Sequence, residues 1–193
     1  MKTNTQTKMA PEIYNHLKKE LEAHSDSDRA RAMQAYMKGL FEYYGINAPL
    51  RKELVKSLKK KYNLKMDQQL WELVHLLWAD PHRECQYIAL DLITPLAKYL
   101  TPDHLPALEK MMITKSWWDT VDGIAPALVG SIFRNFPEQR DTYVYKWMDS
   151  EIIWLQRAAI IFQLKYGRNT DWNMLCEAIL KNDTSKAFLP QLL

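Results

Sequence analysis

The sequence predicts an all-α fold, and three observations predict it. Glycine is scarce, with five residues among 193. Long β-branched alternation is absent. Apolar residues recur instead at spacings of three and four, the period of one helix face.

Taken in order, the spacing predicts helices over 10–23, 28–44, 50–62, 66–79, 84–99, 103–114, 117–135, 138–148, 151–166 and 171–181. In the second, Met33, Met37, Leu40 and Tyr44 keep one stripe, and Gly45 with Pro49 stops it. The third carries most of the lysines of ELVKSLKKKYNLK, which read as a solvated face or a non-specific phosphate contact. Asp80-Pro81 separates the fourth from the fifth, and Thr101-Pro102 the fifth from the sixth. The seventh has the stripe Trp117, Val121, Ile124, Leu128 and Ile132, and Pro126 inside it predicts a bend. Pro137 opens the eighth helix and Gly167 closes the ninth.

The links carry a faint repeat. WADPHRECQYIALDLI resembles WMDSEIIWLQRAAIIF once one residue is inserted. Both read Trp-x-Asp, a turn, then Gln and a small-apolar helix. The two Trp-x-Asp turns are separated by about two units of roughly 35 residues, the length of a helix pair in an α-solenoid. A solenoid has a concave face suited to extended partners. The expectation is a single helical-repeat domain over 1–193.

Bulk chemistry narrows the function classes. Net charge is +3, from 26 basic and 23 acidic residues. That permits a nucleic-acid partner without requiring one. Cys85 and Cys176 sit in apolar helical patterns and read as reduced core thiols. The five histidines show no metal-ligand spacing, so no metal and no cofactor is expected. The N-terminus lacks an apolar leader and no run suits a membrane span, so a cytoplasmic protein is expected; a monomer is expected as well.

KSWWDTVD concentrates the candidate chemistry. Ser116 and Asp119 fit Ser-x-x-Asp at a helix start, serine as cap and acid at the positive end of the dipole. Trp117 belongs to the core stripe. Trp118 and Asp122 are i and i+4, on one face away from that stripe. Capping does not account for Asp122. Gly123, Ala125 and Pro126 beside it predict a surface that another chain can approach closely. The competing reading is a half-buried Trp with a solvated or salt-bridged Asp.

Arg157 interrupts the apolar helix of EIIWLQRAAIIFQLKYG. A buried guanidinium needs a partner. Either it pairs with a nearby acid, or it is held for the two oxygens of a phosphate. Tyr36 and Lys38 lie off the stripe of their helix; Tyr36 by itself reads as an interface aromatic.

SWWDTVD, WLQRAAIIFQLKY, RECQYIALD and YMKGLFEYYGI together resemble the HEAT-like-repeat alkylpurine DNA glycosylases of the AlkD type. The resemblance runs from about residue 28 to about residue 188, and its most specific part is the double-tryptophan motif. It implies a HEAT-like α-solenoid with a concave DNA-binding face. It implies DNA alkylation repair by base excision: hydrolysis of the N-glycosidic bond of cationic N3- or N7-alkylated purines in duplex DNA, without a base-binding pocket. It implies that Asp122 is the catalytic carboxylate and that Trp118 packs against the lesion's sugar and backbone. Arg157 would contact the DNA backbone at the lesion, with Tyr36 facing the same region and Lys38 beside it.

The pattern departs at the C-terminus. The sequence reads TSKAFLPQLL, with Pro190 interrupting the helix expected there. The family's further tryptophan has no counterpart, and Trp172 does not stand in its place. The chain is thus expected to be a shortened member with weakened or lost catalysis. Two alternatives stand beside the glycosylase: a non-catalytic, DNA-structure-binding repeat protein, and a protein–protein scaffold.

Overall fold

Helices follow the predicted segments through most of residues 9–182, the part of the chain that the computed structural model describes. They are α1 (Met9–Ala23), α2 (Ser27–Tyr36), α3 (Ala48–Tyr62), α4 (Gln68–Ala79), α5 (Arg83–Ile93), α6 (Leu105–Ile113), α7 (Trp118–Ile124), α8 (Gly130–Asn135), α9 (Pro137–Met148), α10 (Ile153–Ile161) and α11 (Trp172–Lys181). Among the described residues the extended pairing is limited to an isolated bridge between Glu42 and His82. The class is all-α, as the apolar spacing predicts. The expectation for TSKAFLPQLL lies outside the described residues.

Short polar side chains set several helix starts. Asp26, Asn47, Asp67 and Asp171 each accept a hydrogen bond from the amide three residues on. This satisfies one donor of the open first turn. Asn63 closes α3 in the left-handed conformation, φ 49°.

The chain forms two compact units, 1–95 and 96–193. In the first, α1 packs on α3 and α4, and α5 packs on α3 and α4. Ile13, Leu17 and Leu21 of α1 and Leu70, Leu73 and Leu77 of α4 are fully buried. In the second, α10 packs on α6, α7, α9 and α11. Phe133 lies 5.8 Å from the Trp147 ring and 5.4 Å from the Phe162 ring, tying α8, α9 and the end of α10 together.

The expected helix over 28–44 ends early, at Tyr36. Lys38 (φ 55°) and Gly39 (φ 72°) turn left-handed, and the chain continues as a loop. A buried carboxylate replaces the helical acceptors. Glu84 accepts the amides of Tyr44, Gly45 and Ile46 at 3.2, 2.8 and 3.0 Å. Met37 and Tyr44 are buried through this loop, whereas Leu40 is 51% exposed. An apolar spacing of three and four therefore arises here without a continuous helix. The helices expected over 84–99 and 151–166 are also shorter; α5 passes into a 3₁₀ segment at Thr94, and α10 stops at Ile161.

The faint repeat has a physical counterpart. Trp78 and Trp147 are both buried at the ends of α4 and α9. The glutamine that follows each turn reaches back to its carbonyls. Gln86 donates to Leu77 O, Trp78 O and Asp80 O, and Gln156 donates to Ser150 O. Gln86 thereby satisfies carbonyls that the end of α4 leaves open, and Gln156 holds the turn that follows α9.

Burial raises the pKa of the Cys85 thiol, in keeping with an inert core residue. Cys176 corrects the matching expectation: it is exposed on α11. Burial also pushes Asp80 upward, but hydrogen bonds from Tyr14 and from the His82 amide and ring, with Lys18 nearby, hold it below the usual carboxylate range. No helix of the described residues is long and apolar enough to cross a membrane.

Candidate functional site

Two helices of the second unit build the site, and both owe their placement to local sequence. Trp117, in extended conformation, is the N-cap residue of α7 and makes no side-chain cap bond. This corrects the assignment of Ser116 as the cap. Asp119 does fall in the first turn of α7, where a negative charge suits the helix dipole. Trp117 is also not a residue of the core stripe. It is half-buried, with its ring 5.7 Å from the Trp154 ring of α10. Val121, Ile124, Leu128 and Ile132 are fully buried, so the rest of the predicted stripe is core.

Past Ile124 the helix widens. Residues Ala125–Val129 form a π-helical turn, and the Gly130 amide donates to Ala125 O, five residues back. Pro126 has no amide to give, so a wider turn absorbs the defect where a plain bend was expected. Ala125 and Pro126 are buried. They are not the open surface that their size suggests. Gly130 sits against the end of α10: a Cβ there would lie 2.3 Å from Phe162 O. Tyr166 donates to Gly130 O at 2.7 Å. This contact presses the α7–α8 helix onto α10.

The packing brings Asp122 and Arg157 together. Arg157 Nε donates to Asp122 Oδ1 at 2.6 Å, and Nη2 donates to Oδ2 at 2.5 Å. The pair is a bidentate, charge-assisted clasp. Its two sides differ in exposure. Arg157 is 8% exposed, whereas the Asp122 side chain is 38% exposed. Arg157 Nη1 is buried and has no hydrogen-bond partner among the described residues. Leaving such a donor unpaired costs free energy, so the site favours an added acceptor. Both readings of Arg157 have a basis in this geometry: it is ion-paired, and it keeps a donor in reserve.

Trp118 is 37% exposed and stands one turn before Asp122 on α7. Carboxylate, aromatic side chain and guanidinium thus belong to one pair of packed helices. Tyr36, the last residue of α2, is 73% exposed, and Lys38 holds the left-handed turn after it. Both belong to the first unit, whereas Trp118, Asp122 and Arg157 belong to the second. No three His, Cys, Asp or Glu side chains cluster as a metal site among the described residues.

Sequence reading missed Trp154. It precedes Arg157 by three residues, one helical turn, and joins the start of α7 to α10 through Trp117. The signal was present in WLQR, where an aromatic shares a face with the charge.

A sequence model of the DNA alkylation repair enzyme family matches residues 17–192. Among solved structures, the chain is similar to a predicted DNA alkylation repair enzyme from Enterococcus faecalis. The two share 28% identity with a TM-score of 0.77, over 86% of this chain and 78% of that one. No curated protein matches. With nearly the whole chain covered, the protein belongs to the DNA alkylation repair enzyme family.

Proposed function

We propose that the protein is a DNA glycosylase that releases cationic N3- or N7-alkylated purines from duplex DNA. The observation that carries this reading is the Asp122–Arg157 clasp, whose buried donor Nη1 has no partner among the described residues, one turn from Trp118. Alkylation at N3 or N7 gives the purine a positive charge, so the base is already a good leaving group. The remaining demand is to stabilise positive charge on the sugar as the bond breaks, and to admit water.

Asp122 meets the first demand. A carboxylate about 4 Å from a developing cation contributes on the order of 4 kcal/mol at an effective dielectric of about 20. Trp118 adds roughly 0.5–2 kcal/mol through the face of its ring. Arg157 positions the acid and lowers its field while the pair is closed. When duplex binding opens the clasp, a DNA phosphate oxygen takes the place of Asp122 as acceptor for the guanidinium, and the field of Asp122 at the sugar is restored. Tyr36 and Lys38 contribute to holding the DNA backbone. Water attacks the sugar carbon as the neutral base departs, and Asp122 accepts the proton lost.

The clasp also favours one second reading. Both Asp122 oxygens are engaged by Arg157, which suits a duplex-binding protein without catalysis. Incubation with methylated duplex DNA separates the two. The glycosylase releases free alkylated purine above the enzyme-free rate. Duplex binding without release supports the second reading instead.

A further inference from the structure

Five of the six basic residues of α3 fall into two sets with different surroundings; the sixth, Lys61, lies 3.2 Å from His16 Nε2. Arg51 and Lys59 face α5. Arg51 Nε donates to Asp91 Oδ2 at 2.8 Å, and Lys59 Nζ donates to Asp91 O at 2.9 Å. Burial lowers the Lys59 amine below its ordinary range, with Asp91 offsetting part of the effect. These two cations fasten α3 to its neighbour.

Lys52, Lys56 and Lys60 are different. All three are exposed, and no hydrogen bond or ion pair engages them among the described residues. They recur every fourth residue, so they form one row with a rise of about 6 Å between neighbours. Glu53 is the single acid of α3, against six basic residues, and it forms no ion pair with the row. Like charges four apart on a helix repel and cost it stability. A helix optimised for stability alone would alternate the signs. The row spans about 12 Å, while a DNA duplex carries one phosphate charge per roughly 1.7 Å of axis. Its length therefore suits several phosphates.

We infer that Lys52, Lys56 and Lys60 form a phosphate-backbone contact for duplex DNA, separate from the residues that act at the lesion. The inference rests on the reading of duplex DNA as substrate. Lysine serves this task as a mobile point charge that follows a backbone without reading bases. The row thus adds affinity independent of sequence and of damage.

The test is the salt dependence of duplex binding for wild type and for Lys52→Gln/Lys56→Gln/Lys60→Gln, on methylated and unmodified DNA. All three positions are exposed, and an unchanged melting temperature verifies folding. The slope of log affinity against log salt is expected to become shallower by about 2 to 3, equally on both DNAs. An unchanged slope overturns the inference. So does a loss confined to methylated DNA, or a loss seen on vesicles containing phosphatidylserine and not on DNA. If wild type releases base and the slope is unchanged, the inference fails and the glycosylase reading stands. If the slope falls but wild type releases no base, the glycosylase reading fails and the contact stands. If wild type binds no duplex at low salt, both fail.

Discussion

Gly130→Ala is expected to destabilise the protein by about 3 kcal/mol, the upper part of the range for overpacking a closed interior. The new methyl would lie 2.3 Å from Phe162 O and 3.4 Å from both Ala125 O and the Phe162 carbonyl carbon. These are backbone atoms, so no side chain can swing aside. The end of α10 must move, and the Tyr166 hydroxyl bond to Gly130 O is strained with it. For a chain of this length the melting temperature should fall by roughly 6–12 °C. Thermal unfolding followed by circular dichroism checks this; a shift under 2 °C would show that the contact yields easily.

Glu84→Ala should have a comparable effect for a different reason. The carboxylate is fully buried and satisfies three amides of a loop that has no helical acceptors. Each buried donor left unpaired costs about 1–3 kcal/mol, so a total near 4 kcal/mol is expected once water reaches part of the loop. Glu84→Gln should recover less than half of that. Its amide group turns a donor toward a cluster of donors, whereas the carboxylate offers acceptors on both oxygens. Hydrogen exchange gives the local readout: the Tyr44, Gly45 and Ile46 amides should exchange faster in both variants, with Ala the faster. Unchanged protection of these amides would mean that Glu84 does not hold the loop.

These two sites show where the sequence was legible and where it was not. Helical class was readable because burial in an all-α protein imposes the same period on every core-facing segment. Val121, Ile124, Leu128 and Ile132 follow that period and are buried. The loop of residues 37–47 broke the reading because Met37 and Tyr44 are apolar and buried without being helical. Their organising group, Glu84, lies some forty residues away in sequence. Local spacing carries no signal of such a partner.

The candidate site divides in the same manner. Asp122 stood out because no cap explained it, and Arg157 because it interrupted an apolar helix. Their clasp joins positions 35 residues apart and depends on how α7 and α10 pack. Ser116 looked like a cap because Ser-x-x-Asp fits the pattern, yet the helix begins at Trp118 with Trp117 as its cap residue. The π-helical turn at Ala125–Val129 was legible only as a proline defect, since a missing amide signals a break in the hydrogen bonding and not which turn absorbs it.

The proposed role of Asp122 is tested most directly by single-turnover release of free alkylated purine from methylated duplex DNA, comparing wild type with Asp122→Asn. Asparagine keeps the size of the side chain and one acceptor for Arg157, and removes the negative charge. A fall of roughly 100- to 1,000-fold, with duplex binding retained, is the expected result. Equal release rates from the two proteins would contradict it.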